Sequence, residues 1–137
     1  MSKSLNILLI EDDAIEVMKF HRVLATLKMN HKIIEANNGE EALVILKERE
    51  IIPDIIILDL NMPKINGIEF LQILKADDYL KYIPAIILTT SSNHREVMEC
   101  YRIGIAGYVL KPLKYEDYVD RIQKMLSYWS LNELISR

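Results

Sequence analysis

Short apolar segments alternate with longer amphipathic segments along the sequence, and this alternation limits the folds that the chain can adopt. The apolar segments lie at 5–10, 32–36, 54–59, 85–90 and 106–110, and their length and their branched and aromatic residues are typical of β-strands. The segments between them carry apolar residues at helical spacing, which predicts helices. Strands and helices that alternate in this way form right-handed βαβ units. We therefore predict an α/β domain with a central parallel sheet and helices on both faces.

The predicted helices carry their apolar residues three or four positions apart, as expected for helices that pack on a sheet. In the first and fourth helices these residues are Ile15, Met18, Val23, Leu24 and Leu27, and Val97, Met98, Tyr101 and Ile103. The chain has 137 residues, which is most simply one domain. We predict a domain over 1–128 and a short C-terminal tail over 129–137, with no output domain.

Composition excludes some classes of function. The sequence has 17 basic and 20 acidic residues and a net charge of −3, so it lacks the broad positive surface that nucleic-acid binding requires. Its single cysteine, Cys100, fits a reducing compartment. The N-terminus lacks the layout of a signal peptide, and no apolar stretch approaches the length of a membrane helix. The sequence therefore predicts a soluble cytoplasmic protein that binds neither nucleic acid nor membrane.

Polar residues follow the predicted strands at the point where each strand ends. The third strand contains four consecutive aliphatic residues, Ile55 to Leu58, which predicts a strand buried on both faces, and it ends at Asp59. In an open parallel sheet, ligands bind outside the carboxyl ends of the strands. The polar residues at those ends are Glu11, Asp12 and Asp13 after the first strand, Asp59 after the third, Thr89 and Thr90 at the fourth, and Lys111 after the fifth. We expect them to meet at one edge of the sheet.

This set of residues resembles the receiver domain of two-component response regulators over roughly residues 5–126. Thr89 follows Asp59 by 30 positions and Lys111 follows it by 52, and Pro63 and Gly67 lie shortly after the aspartate. The resemblance implies a flavodoxin-like (βα)5 fold with strand order 2-1-3-4-5, an order that receiver domains are known to share with flavodoxin. It also implies that Asp59 is the phosphoacceptor and that a sensor histidine kinase is the phosphodonor.

The acidic residues suit a divalent cation, which would offset the repulsion between a carboxylate and a phosphoryl group. Mg²⁺, or Mn²⁺ in its place, accepts one or two carboxylates and keeps several waters. We predict that Asp12, Asp59 and the backbone carbonyl of Asn61 bind the cation directly and that Glu11 binds it through water. Asp13 is predicted to be an N-terminal acid of the first helix instead.

The remaining residues of the set have roles that the resemblance implies. The Lys111 ammonium would pair with Asp59 before transfer and with the phosphoryl group afterwards. The Thr89 hydroxyl would donate to a phosphoryl oxygen, and Tyr108 would then move behind it and alter the face formed by the fourth helix, fifth strand and fifth helix. The resemblance also implies a cis peptide bond between Lys111 and Pro112.

The tail and the segment from 60 to 91 look like the single-domain regulators associated with bacterial phytochromes. That likeness implies a phytochrome-type kinase as a candidate partner. It also implies a homodimer through the face formed by the fourth helix, fifth strand and fifth helix and through the C-terminal extension. For the apolar residues of the tail region two alternatives stay open, packing on their own domain or contact with a second copy. These residues are Tyr128, Trp129, Leu131, Leu134 and Ile135.

Two other classes of protein share parts of this pattern. A Mg²⁺-dependent phosphatase of the haloacid-dehalogenase type also uses a strand-end aspartate, a hydroxyl and a lysine, but it carries a second aspartate two residues later as general acid and base. That position is Asn61 here, which cannot exchange a proton, so this alternative is disfavoured. A flavodoxin would need a phosphate-binding loop after the first strand, where Glu11, Asp12 and Asp13 would repel the phosphate.

Overall fold

Strands and helices alternate along the part of the chain that the structure describes. The structure is a computed structural model that describes residues 3–48, 52–62 and 66–135. The strands are β1 (Asn6–Ile10), β2 (Lys32–Ala36), β3 (Ile55–Leu58), β4 (Ala85–Thr89) and β5 (Gly107–Leu110). The helices are α1 (Ala14–Thr26), α2 (Gly39–Glu48), α3 (Gly67–Ala76), α4 (His94–Ile103) and α5 (Tyr115–Ser130).

The five strands form one parallel sheet in the order β2-β1-β3-β4-β5. This confirms the predicted α/β class and the strand order that the resemblance implied. Because strand order reverses beside β1, the carboxyl ends of β1 and β3 border the crevice in which such sheets place their sites.

Each face of the sheet carries its own hydrophobic core, because successive side chains of a strand point to opposite faces. In β3, Ile56 and Leu58 pack into the core that contains Phe70 of α3, whereas Ile55 and Ile57 pack into the core that contains Phe20 of α1. All four residues of β3 are buried, as the aliphatic run predicted. A strand enclosed on both faces fixes where the next residue, Asp59, emerges.

The ends of two helices near the site are held by side-chain caps. The Asp13 carboxylate accepts a hydrogen bond from the Ile15 N–H at 2.9 Å and caps α1, so the prediction that Asp13 is a helix acid is confirmed. Asn66 and Glu69 form a reciprocal capping box at the start of α3. These caps fix the two helices that follow β1 and β3.

Some apolar residues that helical spacing assigned to buried faces are exposed. Ile15 and Met18 of α1 and Met98 and Tyr101 of α4 all lie largely in solvent. The buried side of α1 is formed by Phe20, Val23 and Leu24, and the only fully buried residue of α4 is Cys100. Both helices therefore carry apolar residues on two sides, and spacing alone could not tell which side meets the sheet.

The last helix runs past the predicted domain boundary. α5 continues to Ser130, so the boundary at 128 falls inside a helix, because the first residues of the tail extend its last turn. Trp129 and Leu134 pack partly on the core beneath α1 and α5, while Tyr128 and Leu131 are exposed. Within the described ranges, no helix combines the length and apolar character that a membrane span requires.

Candidate functional site

The predicted site residues meet in one cleft at the carboxyl ends of the strands. The cleft encloses about 480 Å³. Its walls come from the segments after β1, β3, β4 and β5, which contribute Asp12, Asp59, Thr90 and Lys111. Thr89 lies just beneath it, fully buried. The topology of the sheet thus brings together residues that are up to a hundred positions apart in sequence.

Both carboxylate oxygens of Asp59 have partners. Oδ1 accepts hydrogen bonds from the Thr89 hydroxyl at 2.8 Å and from the Asn61 N–H at 3.2 Å. Oδ2 lies 3.4 Å from the Lys111 ammonium nitrogen, Nζ. The Asp59 side chain retains partial exposure to the cleft, so one oxygen can meet a group that enters from solvent.

Lys111 is the positive centre of the site, and only 7% of its side chain is exposed. Its Nζ lies 2.7 Å from Glu11 Oε1 and 2.9 Å from Glu16 Oε1, in addition to its longer contact with Asp59. Its backbone N–H donates to the Thr89 carbonyl at 2.8 Å, which fixes the end of β5 beside the end of β4. Three carboxylates from three elements therefore surround one ammonium group.

Burial shifts the pKa values of the paired groups. Burial raises the pKa of Glu11 to about 7, and the hydrogen bond from Lys111 only partly opposes this shift. Burial would by itself lower the pKa of Lys111, but its contacts with Glu11, Glu16 and Asp59 outweigh that effect and raise it above its ordinary value. Lys111 thus stays positively charged, while Glu11 lacks enough positive charge nearby to be fully stabilised as a carboxylate.

The donor atoms of the cleft fit a hard divalent cation such as Mg²⁺. Glu11 Oε2 is buried and has no hydrogen-bond partner among the described residues, and the Asp12 carboxylate is exposed beside it. Within those residues no group of three or more histidine, cysteine, aspartate or glutamate side chains is arranged to hold a metal by itself. Mg²⁺ does not need such a group, because it binds through one or two carboxylates together with waters.

A chain of contacts leads from Asp59 to the surface of β5. The Ser91 N–H lies 3.4 Å from the Thr89 hydroxyl oxygen, and the Ser91 carbonyl accepts a hydrogen bond from the Tyr108 hydroxyl at 2.7 Å. The Ser91 hydroxyl in turn donates to Glu96 in the first turn of α4 at 2.5 Å. The Tyr108 ring packs against the core on the α3 and α4 side of the sheet. Tyr108 is therefore connected to Asp59 through only two residues.

Two predictions concern prolines. The Lys111–Pro112 bond is trans, since no peptide bond in the described ranges is cis, so the expectation of a cis bond is wrong. Trans is the ordinary form of the peptide bond before a proline, and it is more stable than the cis form by about 0.5–1 kcal/mol. Pro63 lies outside the described residues.

Comparison with known proteins identifies the family. The sequence profile of the response regulator receiver domain matches residues 7–123. The chain belongs to this family. Among individual receiver proteins, it is 34% identical over 128 residues to the response regulator Rcp1 of Synechocystis sp.. The alignment covers 90% of this chain and 87% of Rcp1.

Two solved receiver structures resemble the whole described domain. The phosphorylated cyanobacterial phytochrome response regulator RcpA superposes with a TM-score of 0.90 at 28% identity and covers 98% of this chain and 100% of its own. The Mn²⁺-bound form of Rcp1 gives a TM-score of 0.88 at 32% identity and covers 96% of this chain and 99% of its own. The likeness to regulators associated with phytochromes is thereby confirmed.

Glu16 forms an ion pair with the central lysine of this receiver domain, and the sequence did not reveal this contact. It does not lie at a strand end but in the first turn of α1. Its spacing in the sequence could have indicated this position, because Glu16 precedes the buried Phe20 by four residues and therefore lies on the same, inward side of α1. The residues predicted at the strand ends do meet, since six of them line the cleft and Thr89 bonds to Asp59 beneath it; the six are Glu11, Asp12, Asp13, Asp59, Thr90 and Lys111.

Proposed function

We propose that the protein is a phosphorylatable switch in which Asp59 accepts a phosphoryl group from a sensor histidine kinase. The observation that carries the proposal is the placement of Asp59 between two hydrogen-bond donors, the Thr89 hydroxyl on Oδ1 and the Lys111 ammonium facing Oδ2. Phosphoryl transfer depends mainly on positioning and on positive charge near the crowded oxygens. Lys111 supplies that positive charge, and Thr89 supplies an uncharged hydrogen-bond donor.

The proposed reaction is a simple displacement. An Asp59 carboxylate oxygen attacks the phosphorus atom, and a new O–P bond forms as the P–N bond of the donor phosphohistidine breaks. The electron pair of the broken bond stays on the imidazole nitrogen, which takes up a proton from solvent. Lys111 would then donate to a phosphoryl oxygen, as ammonium groups do at other phosphate sites.

We propose that Mg²⁺ supports this reaction, with Mn²⁺ as a substitute. Asp12, Asp59 and the backbone carbonyl of Asn61 would hold the cation, and Glu11 would reach it through water. When bound, the cation would neutralise charge on the phosphoryl oxygens. The unpartnered Oε2 of Glu11 and the Mn²⁺-bound form of the related Rcp1 support this assignment.

Thr89 and Tyr108 would transmit the change from Asp59 to the face formed by α4, β5 and α5. A phosphoryl group can shift a conformational equilibrium only through contacts that differ between the two states. The contact between the Thr89 hydroxyl and Asp59 is such a contact, because a phosphoryl oxygen would compete for the same donor. Met98, Tyr101 and Leu110 are exposed on that face and offer apolar area to a partner.

We propose that the partners are a sensor histidine kinase, of the phytochrome type in view of the relatives, and a second copy of the chain. Some apolar residues of the tail region are used within the domain and others are available to a second copy. Trp129 and Leu134 pack on their own domain, while Tyr128 and Leu131 face solvent. In a homodimer, these exposed residues would contribute apolar area together with those exposed on α4 and β5. Such a protein is a signalling phosphoacceptor of the cytoplasm rather than an enzyme with an external substrate.

Labelling with a small phosphodonor tests the phosphoacceptor. The parent chain is incubated with Mg²⁺ and acetyl phosphate, and intact mass before and after base treatment reports the gain and loss of one phosphoryl group. Asp59→Asn should abolish the gain. Asp78→Asn, which removes an exposed carboxylate of the α3–β4 loop, should label like the parent. Equal labelling of Asp59→Asn and the parent would show that the phosphoacceptor lies elsewhere.

Sedimentation tests the homodimer. Leu131→Glu should weaken self-association because it places a charge on an exposed apolar residue of the tail. Leu113→Glu changes a leucine of the β5–α5 loop that is even more exposed, and it should not weaken self-association. A parent chain that stays monomeric at high concentration, both before and after phosphorylation, would remove the homodimer from the proposal.

A further inference from the structure

Glu16 joins the central lysine of the site to the first helix. Its Oε1 lies 2.9 Å from Lys111 Nζ, and its Oε2 lies 3.3 Å from Lys19 Nζ. The side chain is 22% exposed and borders the cleft that contains Asp59. Glu16 therefore has a defined place in the site, although it is neither the phosphoacceptor nor one of the residues that would hold a cation.

The contacts of Lys111 match the number of its donors. An ammonium group has three N–H donors and no acceptor. Nζ lies 2.7 Å from Glu11, 2.9 Å from Glu16 and 3.4 Å from Asp59. The two short contacts occupy two donors and leave the third for Asp59, at the longest of the three distances.

We propose that Glu16 is a positioning residue that orients Lys111 toward the phosphoryl oxygen during phosphorylation of Asp59. The proposal rests on the proposed function of Asp59. Glu11 and Glu16 come from different elements, the end of β1 and the first turn of α1, so they hold the ammonium group from two sides. Without Glu16, Glu11 would be the only short contact left beside the longer one with Asp59, and the flexible four-carbon side chain of lysine would regain rotational freedom.

The contacts on the other side of Glu16 keep it in place. Lys19 pairs with Oε2, and its ammonium lies 4.5 Å from the centroid of the Tyr118 ring on α5. Tyr118 is fully buried, so this end of the chain of contacts is anchored in the core. Glu16 is thus constrained on both sides, as a residue that orients another must be.

Charge and placement predict opposite effects when Glu16 is removed. Glu16 adds negative charge beside a reaction between two anions, so a purely electrostatic role would make any neutral substitution faster. Orientation of Lys111 predicts that losing the acceptor oxygen slows the reaction, because misplacement of a catalytic group by about 1 Å can cost about 100-fold in rate. Glu16→Gln separates the two, since it removes the charge and keeps an oxygen within reach.

Rates of phosphorylation by acetyl phosphate and Mg²⁺ test the proposal. Glu16→Ala should lower the maximal rate by about 10-fold or more while the half-saturating acetyl phosphate concentration changes little. Glu16→Gln should retain at least about half of the parent rate. Glu16→Asp keeps the charge but shortens the reach by one methylene, so it should be slower than Glu16→Gln.

Glu35 provides the matched control. It also pairs with a basic side chain, His21 at 2.7 Å, but it lies on the edge strand β2 away from the cleft. Glu35→Ala and Glu35→Gln should keep the parent rate. Circular dichroism and thermal unfolding of each variant would confirm that it is folded.

The outcomes separate this inference from the proposed function. If the parent is labelled on Asp59 and Glu16→Ala reacts as fast as the parent or faster, Glu16 does not position Lys111, and the proposed function stands. A faster reaction of Glu16→Asp than of Glu16→Gln would likewise overturn the inference, because charge would then matter more than placement. If the parent is not labelled on Asp59 at all, the proposed function fails first.

Discussion

The Thr89 hydroxyl donates a hydrogen bond to Asp59 Oδ1 at 2.8 Å, so these two residues are in contact before any phosphoryl group is present. Thr89 is fully buried at the end of β4, and Asp59 follows the equally buried β3. The contact therefore joins two central strands at their carboxyl ends. A phosphoryl group on Asp59 would compete for this hydrogen bond, and for that reason we propose Thr89 as the first residue to respond.

Replacement of Thr89 by valine should separate phosphorylation from the change at the surface. Valine keeps the branched shape and removes the hydroxyl, at a cost of about 1.5–3 kcal/mol in stability for the lost hydrogen bond to a carboxylate. Labelling of Asp59 should persist, while the amide NMR shifts of α4, β5 and α5 should no longer respond to phosphorylation. Thr89→Ser keeps the hydroxyl and should retain the response. Equal responses in parent and valine variant would exclude Thr89 from the switch.

Gly67 is required by a close approach of the chain after β3. A Cβ atom at this position would lie 2.7 Å from Leu60 Cα and 3.2 Å from the Asp59 carbonyl oxygen. Neither backbone atom can move without shifting the end of the strand that carries Asp59. Gly67→Ala should therefore reduce the free energy of unfolding by about 1–3 kcal/mol, as measured by urea denaturation.

Gly107 serves as the control for that substitution. A Cβ atom there would meet its nearest neighbour, Ile86, at 4.0 Å, which is ordinary van der Waals contact. Gly107→Ala should change the free energy of unfolding by no more than about 0.5 kcal/mol. Similar losses of unfolding free energy in the two variants would show that the short distances at Gly67 do not cause the destabilisation by Gly67→Ala.

The fold and most of the site could be predicted from the sequence because both depend on strands. A buried strand is readable from a short aliphatic run such as Ile55 to Leu58, and the residue after it must lie at the edge of the sheet. Asp59, Thr89 and Lys111 could be assigned to one site for this reason alone. The contacts among their atoms required the structure.

Helix orientation was the part that the sequence left open. The predicted apolar face of α1 combined Ile15 and Met18 with Val23 and Leu24. Only Val23 and Leu24 of these four are buried, together with Phe20, which the prediction did not include. Residues 15 and 18 lie on a different side of the helix from residue 20, since each residue turns the helix by about 100°. The correct rotation is also the one that turns Glu16 toward Lys111, so the same uncertainty concealed both features.

Cys100 should be unreactive in the folded protein. Its side chain is fully buried in α4, and burial, with smaller contributions from Glu96 and Glu99, raises the pKa of the thiol to about 11. Because the thiolate is the reactive form, this shift alone should slow reaction with a disulfide reagent at about pH 8 by roughly 100-fold relative to the unfolded chain. The chain has no other cysteine, so reagent consumption reports this thiol directly. Rapid stoichiometric reaction without denaturant would contradict the prediction.

His31 should make stability depend on pH below neutrality. Its Nδ1 accepts a hydrogen bond from the Leu5 N–H at 2.9 Å, and burial lowers the pKa of the imidazole below its ordinary 6.5. The unfolded chain therefore binds a proton at higher pH than the folded chain does. The stability that neutral His31 contributes is fully present above pH 6.5 and is lost as the pH falls toward the folded pKa.

Replacement of His31 by asparagine isolates this contribution. Asparagine offers an acceptor oxygen to the Leu5 N–H and does not titrate. Between about pH 7.5 and about pH 5.5, the free energy of unfolding from urea denaturation should fall more in the parent than in the variant. Carboxylates common to both chains contribute equally and cancel in the comparison. Equal losses in the two proteins would mean that protonation of His31 does not oppose folding.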